Sequence, residues 1–156
     1  MNKKIAISLG VVLLLWIGMV GLNMSSKPKH DLGVKDGLLA RCPDSPNCVS
    51  SQASDDEHAI EPIEVSGKSQ EEVMSAVRKA LSDMPRIKIV TDSDGYIHAT
   101  ATTLIMRYVD DVECFHDASA EVVHFRSASR LGYSDLGANR ARMETLRGLV
   151  VQHLTE

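Results

Sequence analysis

The sequence predicts an α+β domain. An antiparallel sheet of about five strands carries two helices on one face, in the order β-α-β-β-β-β-α, behind an N-terminal transmembrane helix. Three observations carry this expectation. Ser69-Gln70-Glu71-Glu72 is a capping box that opens a run of helical spacing. Between Arg86 and Ala128, alternating β-branched and apolar residues are broken by turn residues. An uncharged apolar stretch runs from Ile5 to Leu22.

The chain has 156 residues, room for one domain and a targeting segment. The apolar stretch covers about 18 residues, near the minimum for a spanning helix and beyond the roughly 7–15 of a secretory signal. Its exit, Gly21-Leu22-Asn23-Met24-Ser25-Ser26, offers no A-x-A-like cleavage pair. Residues 1–24 are therefore expected to be an uncleaved signal anchor, with a cleaved signal peptide as the alternative. No Cys follows closely, which disfavours a bacterial-type lipid anchor. Lys3 and Lys4 precede the stretch and Lys27 and Lys29 follow it, so the positive-inside rule is close to a tie. Short Lys-bearing tails usually stay inside. That places the protein in the cell membrane as a single pass, with the bulk of the chain on the periplasmic side.

Composition narrows the partners. The net charge is −4 and aromatic content is 4%, which argues against nucleic acid and against stacking platforms. Without Lys3 and Lys4 the remainder is more acidic still, so charge alone will not hold it to an anionic membrane. Cys42 and Cys48 flank Pro43-Asp44-Ser45-Pro46-Asn47. In an oxidising compartment they form a small-loop disulfide. Zinc is the rival; the five-residue gap lies outside C-x₂₋₄-C spacing, and no second Cys/His pair lies nearby. Cys114 is left over as a buried strand residue.

The elements follow in order. Residues 25–40 are a juxtamembrane tether, and 41–156 form the domain. Residues 41–60 are loop. Residues 60–66 alternate as a strand that Pro62 confines to an edge. The helix capped by Ser69 presents Val73, Val77, Ala80 and Leu81, and Pro85 ends it. Arg86–Thr91 and Tyr96–Thr103 are strands joined at Asp92-Ser93-Asp94-Gly95, a hairpin turn. Arg107–His116 and Glu121–Ala128 form a second pair. The last helix runs from about Ala138 to Leu154, with Met143, Leu146, Leu149, Val150 and Leu154 as its apolar stripe.

Chemistry concentrates in two places. In Arg107–Phe115, Asp111 and Glu113 share a face with Val109 and Phe115, while Asp110 faces the other way. A buried carboxylate needs a partner. The second place is Arg126 to Glu144, where Arg126, Ser127, Ser129, Arg130, Ser134, Asp135, Asn139 and Arg140 crowd a strand-to-helix turn. Arg forks match carboxylates bidentately. Three readings stay open. The arginines knit the last helix to the sheet through Asp110, Asp111 and Glu113. Alternatively Arg126, Arg130, Arg140 and the helix N-terminus hold a small anionic or polar ligand. In the third, Asp110, Asp111 or Glu113 performs acid–base catalysis.

Other signatures are weak. Ser127, Ser129 and Ser134 lack a G-x-S-x-G elbow, and Gly132 and Gly137 form no phosphate loop. Those glycines are expected to supply unusual backbone angles. Asn139 or Ser134 is the expected helix cap, with Arg140 and Glu144 as an i,i+4 pair. His98, His116 and His124 with Cys114 do not show metal-ligand spacing. No catalytic residue, metal or cofactor is assigned.

Cys42-Pro43-Asp44-Ser45-Pro46-Asn47-Cys48-Val49-Ser50-Ser51, Val109-Asp110-Asp111-Val112-Glu113 and the Arg126–Glu144 run, in this order, resemble the DUF1499 family. The resemblance covers roughly Leu32 to the C-terminus. It implies a domain of uncharacterised function, often behind an N-terminal signal or membrane segment, and brings no reaction with it. The functional expectation is a membrane-anchored extracytoplasmic module that binds a small ligand or anion or serves the envelope structurally. A protein-interaction module of the envelope, or an enzyme, are the alternatives.

Overall fold

A computed structural model describes residues 3–155, with the side chains of the first helix described from Ser8 onward. The elements are α1 (Lys3–Met24), β1 (Cys48–Ser50), β2 (Ile63–Glu64), α2 (Gln70–Asp83), β3 (Ile87–Ser93), β4 (Tyr96–Thr102), β5 (Val109–Asp117), β6 (Val122–Ser129) and α3 (Ala138–Thr155).

The strands make one six-stranded antiparallel sheet in the order β1-β6-β5-β4-β3, with β2 also on β6. β1 pairs the C-terminal half of β6 and β2 its N-terminal half, so two short strands share one edge. This is one strand more than the sequence suggests. β1 is only Cys48-Val49-Ser50, and three residues inside a Pro- and Ser-rich loop show no alternation to detect.

The capping box is present. Ser69 Oγ accepts from the Glu72 N–H while Glu72 accepts from the Ser69 N–H. α2 and α3 pack against one sheet face. Val73, Val77 and Leu81 of α2 and Met143, Leu146 and Val150 of α3 meet Ile97, Ala99, Val112, Cys114, Val123 and Phe125. Each large apolar side chain fully buried here contributes about 1.5–3 kcal/mol. Period-two alternation turns Tyr96, His98, Asp111, Glu113 and Arg126 to the opposite face.

Among the described residues, neither α2 nor α3 packs on that opposite face. The strap of residues 25–40 crosses it, and Asp111, Glu113 and Arg126 are buried beneath.

The expected transmembrane helix requires correction. Among the described residues no helix is long and apolar enough to cross a membrane. α3 is long but polar on most of its surface. The described side chains of α1, Ser8 to Met24, fall short of the about 20 apolar residues a span needs. The charged flank, Lys3 and Lys4, and the apolar start at Ile5 lie outside the described side chains.

Candidate functional site

β5 turns its buried carboxylates, Asp110, Asp111 and Glu113, to both faces of the sheet, and the structure places a different arginine against each of the three. Asp110 faces the helices, where Arg142 Nη2 donates to its Oδ2 at 2.7 Å. Asp111 faces the strap, and Arg130 grips it from Nε (2.9 Å) and Nη2 (2.7 Å). Glu113, also on the strap face and fully buried, takes Arg126 Nη1 at 3.1 Å. The Arg126–Glu144 run thus serves two networks separated by the sheet.

The helix-face network centres on Asn139, at the start of α3. Its amide donates to the Asn47 carbonyl (2.9 Å) and to Ser129 Oγ (3.0 Å). Its Oδ1 accepts from Ser127 Oγ at 2.6 Å and from Arg142. Arg142 also donates to Ser127 Oγ. The disulfide loop joins through Asn47, whose amide donates to the Gly132 carbonyl at 2.8 Å. Cys42 and Cys48 are bonded to each other, as their spacing suggests, and Cys114 is buried and free. Burial, together with the nearby Glu113 charge, pushes the Cys114 thiol up to about 12. The thiol is therefore protonated near neutrality and is a poor nucleophile.

The strap-face network is built on β4 and β5. His98 Nε2 lies 2.9 Å from Asp111 Oδ1, and Tyr96 donates its hydroxyl to Glu113 Oε1 at 2.9 Å. The strap closes it with its own backbone. Gly33 N–H donates to Glu113 Oε1 at 2.9 Å, and the Ser26 carbonyl accepts from Arg130 Nη1 at 2.7 Å. Gly33 adopts φ +108°, a conformation costly for a side chain, so glycine suits the turn that aims this amide.

Burial raises the Asp111 pKa, but hydrogen bonds from His98 and Arg130 outweigh it and hold the carboxyl below its ordinary value. Burial and the adjacent Glu113 charge raise the Tyr96 hydroxyl well above its ordinary value, so Tyr96 stays a donor.

The remaining sequence candidates take other places. Among the described residues Arg140 has no carboxylate partner; it donates to the carbonyls of Ala59 (2.7 Å) and Glu57 (2.8 Å), fastening the loop before β2. Glu144 meets Arg147 rather than Arg140. Ser134 accepts from the Leu136 N–H at the exposed turn. Asp135, rather than Asn139 or Ser134, caps α3, accepting from the amides of Gly137 (3.1 Å) and Asn139 (2.6 Å). Gly132 and Gly137 do take positive φ. His98, Tyr96 and Asn47 belong to the networks and were not among the sequence candidates; Arg142 lies in the arginine run expected to meet the carboxylates but was not singled out as a site residue. Alternation in Tyr96–Thr103 was the available signal for Tyr96 and His98, since it places both on the face opposite Ile97 and Ala99.

Between strap and sheet lies a cavity of about 10 Å³, lined by Pro28, Lys29, Leu32, Asp111, Arg126 and Arg130 among others. Arg126 Nε is buried with no hydrogen-bond partner among the described residues. Among those residues no group of three or more His, Cys, Asp or Glu side chains is placed to hold a metal ion.

The fold and these networks define an α+β domain stapled by one disulfide and by arginine–carboxylate pairs on both sheet faces. Residues 38–150 match the model of the family described as protein of unknown function (DUF1499), and the chain belongs to that family. No curated protein and no solved structure matches the chain.

Proposed function

We propose that the protein is a non-catalytic module of an oxidising, extracytoplasmic compartment, in which paired charges clamp the N-terminal strap onto the sheet. One observation carries the reading: the three buried β5 carboxylates are each bonded to their own arginine, Asp110 to Arg142, Asp111 to Arg130 and Glu113 to Arg126. Acid–base catalysis would need one of these carboxylates free to exchange a proton with a substrate, and an open anion pocket would need a free guanidinium. Instead the leftover hydrogen-bonding capacity of Glu113 and Arg130 goes to the strap backbone. The Cys42–Cys48 disulfide supports the compartment.

The clamp is tested by trypsin cleavage after the exposed Lys29. Replacing Arg130→Leu removes its hydrogen bond to the Ser26 carbonyl, which is worth about 1.5–3 kcal/mol for a charged donor. Cleavage after Lys29 should then quicken by about tenfold or more while the sheet stays folded. Equal rates in the two proteins would end the reading.

A second reading, a small polar ligand under the strap, is favoured by the unpartnered Arg126 Nε beside the cavity. That volume suits about one water molecule, so anything larger requires the strap to lift. A melting-temperature rise with inorganic phosphate that Arg126→Leu abolishes would support it.

A further inference from the structure

The end of the sheet where β5 begins and β6 finishes is unlike the rest of the surface. Arg130 N–H donates to the Val109 carbonyl, so the β4–β5 loop (103–108) and the β6–α3 loop (130–137) leave the sheet side by side. Their tips present Leu104, Ile105, Leu131, Tyr133 and Leu136 to solvent. Leu136 is 96% exposed and holds φ +56°, a strained setting for a leucine that touches almost nothing. Isolated exposed apolar residues are ordinary, but a cluster on adjacent loop tips marks an interaction surface.

Two further features identify what it meets. Cations rim the cluster: Arg107 lies within the first loop, and Lys27 and Lys29 lie on the strap, with Lys29 Nζ 3.4 Å from the Gly132 carbonyl. The nearby Asp135 carboxylate is engaged by the amides of Gly137 and Asn139 at the start of α3. In addition, α1 ends at this same place, its Asn23 amide donating to the Met106 carbonyl at 2.6 Å. From there α1 exposes apolar side chains on every side, Leu13, Leu14, Leu15 and Ile17 among them. A protein groove would require one apolar stripe, and α1 instead shows apolar residues on every side.

We propose that this end of the domain docks on a lipid bilayer surface. The tips carrying Leu104, Ile105, Tyr133 and Leu136 enter the headgroup–acyl boundary, and Arg107, Lys27 and Lys29 meet anionic headgroups. The proposal asks of α1 only that its exposed apolar surface meet the same boundary.

The test uses the full chain with single cysteines carrying an environment-sensitive fluorophore, at Leu136→Cys, Ile105→Cys and Asp94→Cys. Cys42 and Cys48 are bonded and Cys114 is buried, so labelling is site-specific without reductant. Asp94 sits in the β3–β4 turn at the far end of the sheet. On addition of phosphatidylethanolamine vesicles containing phosphatidylglycerol, the labels at 105 and 136 should shift to the blue and be quenched by spin-labelled lipid. The label at 94 should not respond. Vesicle binding with no shift at 105 and 136 overturns the proposal, since α1 alone would then account for it. Failure to bind vesicles also overturns it. So does a shift that follows protein concentration without lipid, which would assign the surface to a second copy.

Discussion

Arg126 lies directly opposite Glu113 in the β5–β6 register, and its Nη1 donates to the Glu113 carboxylate at 3.1 Å with both side chains almost fully buried. Removing one partner of such a pair strands the other charge in the interior. Arg126→Met is therefore expected to cost about 3–5 kcal/mol. The double replacement Glu113→Gln with Arg126→Met should recover much of that loss. Urea denaturation of the two single variants and the double checks this; strictly additive losses would show that the charges do not act as a pair.

The Cys42–Cys48 bond closes a small loop that also carries Asn47 into the helix-face network. Reduction should lower stability by about 2 kcal/mol on the loop-entropy account. Mass analysis after alkylation without reductant should find both cysteines protected. Labelling of both would refute the bond.

Asn139 unites the disulfide loop, β6 and α3 through Asn47, Ser129, Ser127 and Arg142. Asn139→Ala leaves several buried polar groups without partners, at about 1–3 kcal/mol for each group left unmet. The expected result is a melting temperature well below that of Thr145→Ala, a surface change on the same helix. Similar melting temperatures would place the network outside the stability account.

Asp111 sets a pH dependence. Its carboxyl titrates lower in the folded state than in the unfolded chain, whose value is about 3.9. The unfolded state therefore binds a proton first as pH falls. The stabilisation is present in full above that value and is lost as pH falls through the folded one. Asp111→Asn should be markedly less stable than the wild type near neutrality. The gap should narrow below about pH 4. A gap constant down to acid would assign the difference to something other than ionisation.

Periodic elements were legible in the sequence. The Ser69 box, the Asp94-Gly95 turn and the stripes of α2 and α3 are local signals that the structure reproduces. β1 was not legible because its three residues owe their conformation to β6 rather than to their own pattern. At the site, alternation assigned Asp110 to one face and Asp111 with Glu113 to the other, as found. What the sequence could not convey was which arginine crosses to which carboxylate. Arg140 and Arg142 are two positions apart on one helix, yet they face different surroundings. Arg142 points to Asp110 and Arg140 to the carbonyls of Glu57 and Ala59. That choice depends on where α3 crosses the sheet, a tertiary fact.

The strap was read in the sequence only as a juxtamembrane tether, residues 25–40. Its contacts use backbone groups, the Gly33 N–H and the Ser26 carbonyl, and these leave no trace in residue identity. The transmembrane expectation rested on apolar length and on an exit without a cleavage pair, and among the described residues no helix is long and apolar enough to cross a membrane.

Hydrogen exchange at the single Gly33 amide tests the clamp on its own terms. In the folded wild-type protein this amide is bonded to a buried carboxylate, so it should exchange much more slowly than a solvent-facing strap amide such as that of Asp31. Gly33 exchanging at the rate of unstructured chain, while Val112 and Phe125 in the sheet remain protected, would contradict the clamp.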